Sequence, residues 1–279
     1  MPANVEIKAR IPSVESLLPL AALAQQPAPP PAGPAGVVDP VAGGGLTYAL
    51  GLAVIDAPTY AGGAGRELKL RPLWSVRYGR FRLSGARSSG LLGAATAERG
   101  SGASADLVET DRWSLGLGLR FDNGRQPGDD PALAGLPEIR QTLRGRLNGG
   151  LNLGGGFSTS LSYSADLLGR DGGGQLGAMW QVLAKRASLG VGATWADRQH
   201  MQTHFGIAPD VALRTGRTAH VAGGGLLDVH AGAMLQVPLR GRWTLVGGLA
   251  LAQLQGDAAA RRTIVGCLRM ACAGAASRL

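Results

Sequence analysis

Apolar and polar residues alternate along long stretches of the chain. Residues 112–122 read RWSLGLGLRFD, with apolar side chains at every odd position: Trp113, Leu115, Leu117, Leu119 and Phe121. Arginine, serine, glycine and aspartate occupy the even positions. Because successive side chains of a β-strand point to opposite faces, this stretch predicts a strand with one apolar face and one small, polar face.

The same period recurs over most of the sequence. Further alternating runs lie at 45–55, 67–78, 79–96, 143–153, 157–167, 174–183, 187–195, 224–237 and 243–254. Alternation over such lengths favours strands over helices, so the sequence predicts an all-β fold.

Two all-β architectures are compatible with this pattern. A water-soluble sandwich would have shorter strands and more charge on its polar face, whereas here the polar row is mostly glycine and serine. Runs of about ten residues match the 9–11 needed to cross a bilayer as a tilted strand. We therefore predict an antiparallel transmembrane β-barrel, with Trp113, Trp195 and Trp243 near strand ends, where aromatic girdles lie.

The connections suggest a strand count. Residues 182–188 and 237–243 are typical of short turns, and residues 196–220 of a long outer loop. If 79–96 holds two short strands, about eleven strands are complete by Leu254. Since bacterial single-chain barrels have even strand numbers, a twelfth strand is required.

The two ends of the chain differ from this central region. Residues 1–24 resemble a secretory signal or a misassigned start, residues 25–44 form a linker rich in proline and glycine, and the barrel is expected over 45–257. The tail, 258–279, shows no alternation and contains both cysteines, Cys267 and Cys272. The sequence therefore predicts that the last strand is missing here.

Composition is unusual for a water-soluble enzyme. Charged residues are 17% of the chain, which contains 45 glycines, and the formal net charge is +9. The arginines are scattered rather than clustered, which argues against nucleic acid as a partner and favours outer-membrane lipid and lipopolysaccharide headgroups. No run of 18 apolar residues predicts a transmembrane helix, so a membrane span would have to be a closed barrel.

Several motifs, in the same order, resemble one family. They are GLAVIDAPTYAG with LRPLWSVRYGRFRLSG, DDPALAGLPEI at 129–139, WADRQHMQTHFGIAP at 195–209 and WTLVGGLALAQLQGDAA at 243–259. Together they resemble the MipA/OmpV family of outer-membrane proteins over roughly residues 45–260. The resemblance implies a barrel of about twelve strands in the outer membrane of a Gram-negative bacterium.

The resemblance also implies a function. The name-giving member is a scaffold that joins a lytic transglycosylase to a penicillin-binding protein in murein metabolism, and other members are porin-like or immunogenic surface proteins. No partner-binding residues or cofactor can be carried over. The matching residues of the 195–209 motif are expected to determine the fold or the loop: Trp195, Ala196, Asp197, Met201, Phe205 and Gly206.

The chain departs from the family pattern at two tyrosine positions, which are His200 and His204 here. Their i, i+4 spacing could hold a metal ion on a helix, with Asp197 as a third ligand. We expect them instead to be surface side chains of a loop, and we predict no metal site.

Two alternatives to the scaffold follow from other features. A Gly/Ser lumen with inward arginines such as Arg120, Arg144 and Arg146 would suit a channel for small solutes. The opening NVEIKAR resembles the start of a CYTH domain, so a fragment of a triphosphate enzyme acting through Glu6 or Lys8 is a remote alternative. No other motif provides catalytic residues, and we predict that the protein is not an enzyme.

Overall fold

The computed structural model describes residues 46–60, 65–85, 102–239 and 243–259, together with the backbone of 265–278. The signal-like segment 1–24, which contains Glu6 and Lys8, and the linker 25–44 lie outside the described residues. The expectations for those segments stay predictions, as do the domain boundaries drawn from them.

Twelve strands make up the described sheet. They are β1 Leu46–Pro58, β2 Arg66–Tyr78, β3 Phe81–Ser84, β4 Gly102–Glu109, β5 Trp113–Asp122, β6 Thr142–Gly154, β7 Phe157–Asp166, β8 Gly174–Leu183, β9 Ala187–Ala196, β10 Gly225–Pro238, β11 Trp243–Leu254 and β12 Val265–Arg278. Each strand pairs antiparallel with its neighbours in sequence, and β1 pairs with β12, so the sheet closes into a barrel. The predicted all-β, antiparallel barrel is confirmed.

The structure differs from the sequence expectation at the last strand. Residues Val265–Arg278, in the tail where no alternation is visible, pair through their backbone with β11 on one side and β1 on the other. Strand pairing is made by main-chain groups, so two open edges can bind a segment whose side chains are small and irregular in pattern. The prediction that the last strand is missing is therefore wrong: β12 is present, and pairing with β1 and β11 determines its position.

The expected count of eleven strands by Leu254 agrees with the structure. Of the two strands predicted within 79–96, the first corresponds to β3, while residues 86–96 lie outside the described residues. The partner of β3 is β4, at Gly102–Glu109. A bulge between Asp106 and Val108 interrupts the period-2 pattern of β4, which explains why the sequence did not reveal this strand.

The outer face of the barrel is apolar and uncovered. Leu68, Leu70 and Leu189 expose 71%, 69% and 60% of their surface, and Leu117, nearer the middle of a strand, exposes 47%. Water-soluble proteins rarely present a continuous apolar surface of this extent, whereas a bilayer covers it with acyl chains. Lipid is therefore the medium that the outer face requires.

Aromatic side chains collect at one end of this outer face. Five of them stand at strand ends next to short turns and are 49–64% exposed: Tyr78, Phe81, Trp113, Phe157 and Trp243. Trp195 lies next to the last residue of β9, at the opposite end. A ring of this kind marks the bilayer surface in transmembrane barrels, as predicted for Trp113 and Trp243.

The two ends of the barrel have different connections. At the aromatic end the described turns are short, with residues 79–80, 110–112, 155–156 and 184–186 joining successive strands. The β6–β7 turn uses Gly154, Gly155 and Gly156 at φ of 85°, 61° and 83°, which side chains with a Cβ rarely adopt. At the other end the connections are longer, as the loop predicted at 196–220 requires.

Two of these long loops and a helical turn pack together. We call residues 123–141, 197–224 and 256–259 the cap. It contains α1 Arg198–Phe205, α2 Pro209–Thr215 and α3 Gly256–Ala259, with 3₁₀ turns at Pro127–Asp129 and Pro131–Leu133. No helix in the described part of the chain has the length and apolar character needed to cross a membrane.

The cap has an apolar interior of its own, formed by two clusters. One cluster comprises Ala196, Met201, Phe205, Ala222, Leu227, Leu254 and Ala258. The other comprises Leu133, Leu136, Ile207, Val211 and Ala212, with Tyr60 packed against it. Segments far apart in sequence therefore meet over the mouth of the barrel.

Candidate functional site

The inner wall of the barrel carries a group of arginines on neighbouring strands. Arg77 of β2 is paired in register with Arg82 of β3, and Arg120 of β5 is paired with Arg144 of β6. Arg146 lies two residues after Arg144, so it points to the same face. We call these five residues the arginine arc.

Register places the arc in two adjacent rows across the wall. The first row passes through Arg77, Arg82, Ser104, Gly118, Arg146, Ser164 and Gln175. The second passes through Ser75, Ser84, Gly102, Arg120, Arg144 and Asp166. The first row contains no carboxylate, and its other side chains are hydroxyl groups and an amide that can donate hydrogen bonds.

Arg144 is the most deeply buried member of the arc, with 1% of its surface exposed. Its guanidinium donates to the carbonyl oxygens of Gly172 at 3.0 Å and Gly173 at 3.2 Å, and to the Ser164 hydroxyl at 3.3 Å. A buried cation with several acceptors fixes the segment that supplies them. Arg144 therefore anchors the β7–β8 loop to the inner wall.

Asp166 organises the same loop from the end of β7. Its carboxylate accepts hydrogen bonds from the Thr142 hydroxyl and from the backbone N–H groups of Leu168, Arg170 and Gly172. These four donors occupy the acceptor positions of a carboxylate. Asp166 thus organises the loop from a position directly opposite Arg144 in the strand register.

Arg77 has acidic neighbours at the short-turn side of the arc. Its guanidinium lies 3.6 Å from the Asp106 carboxylate and 3.5 Å from the Glu109 carboxylate. The Glu109 side chain is 66% exposed, so this group of charges is in contact with solvent. Solvent screens such pairs, and their contribution to stability is small.

Another part of the inner wall carries a small apolar cluster. Met234 of β10 and Ala250 of β11 are 4% and 1% exposed and pack with Ile55, Ala57 and Val246. The interior therefore has an apolar cluster on β1, β10 and β11, and arginines on β2, β3, β5 and β6.

A buried polar pair lies on β10. The Asp228 carboxylate is 2.7 Å from Nδ1 of His230, and the two residues are 1% and 8% exposed. The His230 ring stands over Gly192, where an added Cβ would come within 2.4 Å of Nε2. Sequence reasoning missed this pair, although an Asp-x-His spacing on a strand already places both side chains on one face.

The residues of the 195–209 motif lie at the junction of β9 and the cap. Asp197 is the N-cap of α1, where its carboxylate accepts from His200 N at 2.7 Å and from Gly174 N at 2.6 Å. Ala196, Met201 and Phe205 are buried in the first cap cluster. Gly206 ends α1, and an added Cβ there would lie 2.2 Å from Gln202.

These positions agree with a role in folding the loop, while Trp195 faces outward from β9 and is 41% exposed. Their functional role stays a prediction.

His200 differs from its predicted place on the surface. It is 3% exposed, with Nδ1 2.8 Å from the Gly172 carbonyl oxygen and Nε2 2.8 Å from the Gln175 amide. Its ring stacks on that of His204 at 4.0 Å. Both ring nitrogens of His200 are thus engaged with protein groups, and no cluster of three metal-binding side chains occurs among the described residues.

His204 is held in a similar way. Its Nδ1 is 3.0 Å from the His200 carbonyl oxygen, and its own carbonyl oxygen accepts from the Arg125 guanidinium at 2.9 Å. Desolvation, followed by the charge of His200, lowers the pKa of His204 well below 6.5. Burial in the cap therefore favours the neutral form of the His204 imidazole.

Asp130 joins the cap to the β1–β2 loop. Its carboxylate accepts from the Thr59 hydroxyl at 2.6 Å and from Ala132 N at 2.8 Å. These hydrogen bonds, that from Thr59 first, lower the pKa of Asp130 below its usual value.

Comparisons with known proteins give one sequence match and several structural likenesses. A family model described as MltA-interacting protein MipA matches residues 50–260. No curated protein sequence matches the chain.

The structural likenesses are to barrels of low sequence identity. An outer-membrane channel from Pseudomonas putida F1 is 13% identical, with a TM-score of 0.42 over 86% of this chain and 100% of that one. The KdgM porin is 9% identical, with a TM-score of 0.41 over 81% of this chain and 98% of that one. The P. putida toluene transporter TodX is 12% identical, with a TM-score of 0.39 over 85% of this chain and 91% of that one.

Proposed function

Because the chain belongs to the MltA-interacting protein MipA family, we propose that it is an outer-membrane scaffold for murein enzymes. The protein is a β-barrel of the Gram-negative outer membrane. The proposed role is to hold a lytic transglycosylase and a penicillin-binding protein close together. Two enzymes bound to one scaffold meet at an effective concentration set by the scaffold rather than by diffusion, and no catalytic group of the barrel is required.

The family match over 50–260 is the observation that carries this proposal. The short-turn end offers a surface for it, since short turns of bacterial barrels face the periplasm, where murein lies. Within the described part of these turns, four basic residues are exposed: Arg80, Arg112, Lys185 and Arg186. Among the described residues none of the four forms an ion pair. We call them the basic rim, and it would suit an acidic patch on a soluble partner.

Affinity capture from detergent extracts tests the scaffold. The tagged full chain is expected to retain lytic transglycosylase and penicillin-binding protein, and the variant R80E/R112E/K185E/R186E is expected to lose most of this binding. The control R140E/R198E/R214E reverses three exposed charges of the cap and should bind as the wild type does. Absence of murein enzymes from the wild-type capture would exclude the scaffold function.

A second function, a channel for small solutes, is supported by the polar inner wall of β2–β8. Its serines, glycines and inward arginines would hydrate a passage along one side of the interior. Planar-bilayer recording of the purified barrel tests it, and stepwise current increases on insertion are the expected result. A barrel that inserts and stays silent would exclude the channel.

A further inference from the structure

We propose that the cap is a plug that closes the mouth of the barrel at its long-loop end, and that it opens at the border between α1 and the β7–β8 loop. This inference rests on the channel function proposed second above, because a plug has a use only where solutes pass. We call this border the seam. It comprises residues 171–175, in the loop and the start of β8, and residues 197–203, at the start of α1.

Helix α1 lies within the mouth. Ala196 and Leu254 are the last residues of β9 and β11, and they form one apolar cluster with Met201 and Phe205 of the helix. Burial alternates along these strands near their ends, and Ala196 and Leu254 belong to the buried, inward set. The helix therefore packs against the inner side of the wall and takes up space in the opening itself.

The second apolar cluster extends this cover across the mouth. Tyr60, which follows the end of β1, packs against a cluster that contains Leu133 of the β5–β6 loop and Ile207 of the β9–β10 loop. Arg217 also donates to the Ala132 carbonyl oxygen at 2.7 Å. These contacts join loops from three parts of the barrel rim into one body.

Hydrogen bonds, rather than apolar contacts, hold the seam. At the start of α1, Asp197 accepts from Gly174 N at 2.6 Å. Farther along the helix, the Gln199 amide donates to the Asp171 carboxylate at 3.1 Å, and the Thr203 hydroxyl donates to the Asp171 carbonyl oxygen at 2.7 Å. The last two bonds are exposed to solvent, so water can replace them with a small loss of free energy.

The inner half of the seam reaches the polar wall. Nδ1 of His200 is 2.8 Å from the Gly172 carbonyl oxygen, and its Nε2 is 2.8 Å from the Gln175 amide. Gln175 is paired in register with Ser164, which is paired with Arg146. Opening of the seam would therefore connect the outside directly with the polar wall, along which the passage is proposed.

The two sides of the seam are attached to different bodies. Arg144 donates to the carbonyl oxygens of Gly172 and Gly173, which fixes the loop side to β6. The α1 side is held in the plug by Met201 and Phe205. Separating apolar clusters costs free energy in proportion to the area exposed, whereas water can satisfy the polar groups of the seam. The seam is therefore the border at which the plug opens.

Single-channel recording of the purified full chain in a planar bilayer tests the proposal. The wild-type barrel is expected to conduct in steps interrupted by long closures. The variant Q199A/T203V should raise the open fraction at least about threefold, because one net hydrogen bond shifts an equilibrium about two- to tenfold. The unitary conductance should not change. The control Q126A/T218V alters the same residue types at exposed cap positions outside the seam and should behave as the wild type does.

The outcomes separate the plug from the channel. Conduction with the same open fraction in wild type and variant, or an equal rise in the control, would overturn the plug and leave the channel intact. If neither barrel conducts, the channel is excluded, and amide hydrogen exchange in detergent then decides. Faster exchange at Gly174 and His200 in Q199A/T203V than in the control supports opening at the seam, and equal exchange overturns it. If the double variant does not fold, T203V is compared with T218V in both measurements.

Discussion

Apolar residues lie on the outside of the barrel wall and on the inside of the cap. In the wall, leucines such as Leu117 face outward and the interior holds glycine, serine and arginine. In the cap, Leu133 and Met201 are each 1% exposed, and charged residues such as Arg198 are exposed. The same chain thus folds against two solvents, because lipid covers the wall and water surrounds the cap. A substitution should therefore have opposite consequences in the two regions.

The largest effect is expected in the cap interior. Leu133→Ala removes a fully buried side chain and leaves a cavity, at a cost of about 2–5 kcal/mol to the folded cap. Trypsin cleavage of the cap in detergent should become much faster, while the barrel keeps its heat-dependent mobility in gels. Leu213→Ala is the control, since Leu213 is 87% exposed on α2, and cleavage there should not change. Equal cleavage in both variants would contradict a separate cap core.

A slightly smaller effect is expected on the wall. Leu117→Arg places a charge on the lipid-facing side near the middle of β5, which costs about 2–4 kcal/mol at the bilayer midplane. The midpoint of urea unfolding in phosphatidylcholine vesicles should fall, whereas Leu117→Val should behave nearly as the wild type does. If arginine is tolerated there as well as valine, the wall does not face lipid and the comparison fails.

Acid is expected to act on the cap before the wall. The pKa of His204 is lowered in the folded cap, so below about pH 6.5 the opened cap binds a proton that the folded cap does not. Stability is therefore lost as the pH falls, and the opening equilibrium should rise up to about tenfold per pH unit until the folded pKa is reached.

Trypsin accessibility between pH 7.5 and 5.5, corrected for enzyme rate on a peptide, measures this change. His204→Gln should flatten the profile. A profile equally steep in that variant would assign the pH dependence to another group.

The smallest of these effects concerns the start of α1. Asp197→Ala removes the N-cap and the acceptor for Gly174 N, and should destabilise the cap by about 0.5–2 kcal/mol. Hydrogen exchange of the α1 amides is the measurement. Asp210→Ala, in the exposed first turn of α2, is the control, and its ion pair with Arg214 contributes about 0.5 kcal/mol or less.

The wall was largely predictable from the sequence, and the cap was not. Strands such as β5, β7 and β9 can be predicted from their own residues alone, because alternation with a period of two indicates a strand without reference to its partner strands. The sequence did not predict β4, because a bulge at Asp106 interrupts its alternation. It did not predict β12, because the pairing of that strand depends on two other strands. These failures arise where backbone geometry or distant partners decide the structure.

The inner site was predictable in part. Alternation alone identified Arg120, Arg144 and Arg146 as inward residues. Their convergence with Arg77 and Arg82 depends on strand register, and the burial of His200 depends on a loop that folds over it. The helices α1 and α2 of the cap have eight and seven residues. Helices of this length are not stable alone, so they form only when they pack against the other loops.

The cap also sets an order of events during biogenesis. Its two interiors combine residues from the β5–β6 and β9–β10 loops and from α3, so none of these segments has a complete apolar core by itself. The charged loops have to cross the hydrocarbon layer before their partners are gathered at one mouth. We therefore expect the cap to fold last. Its loops should become compact only after all of them have crossed the bilayer.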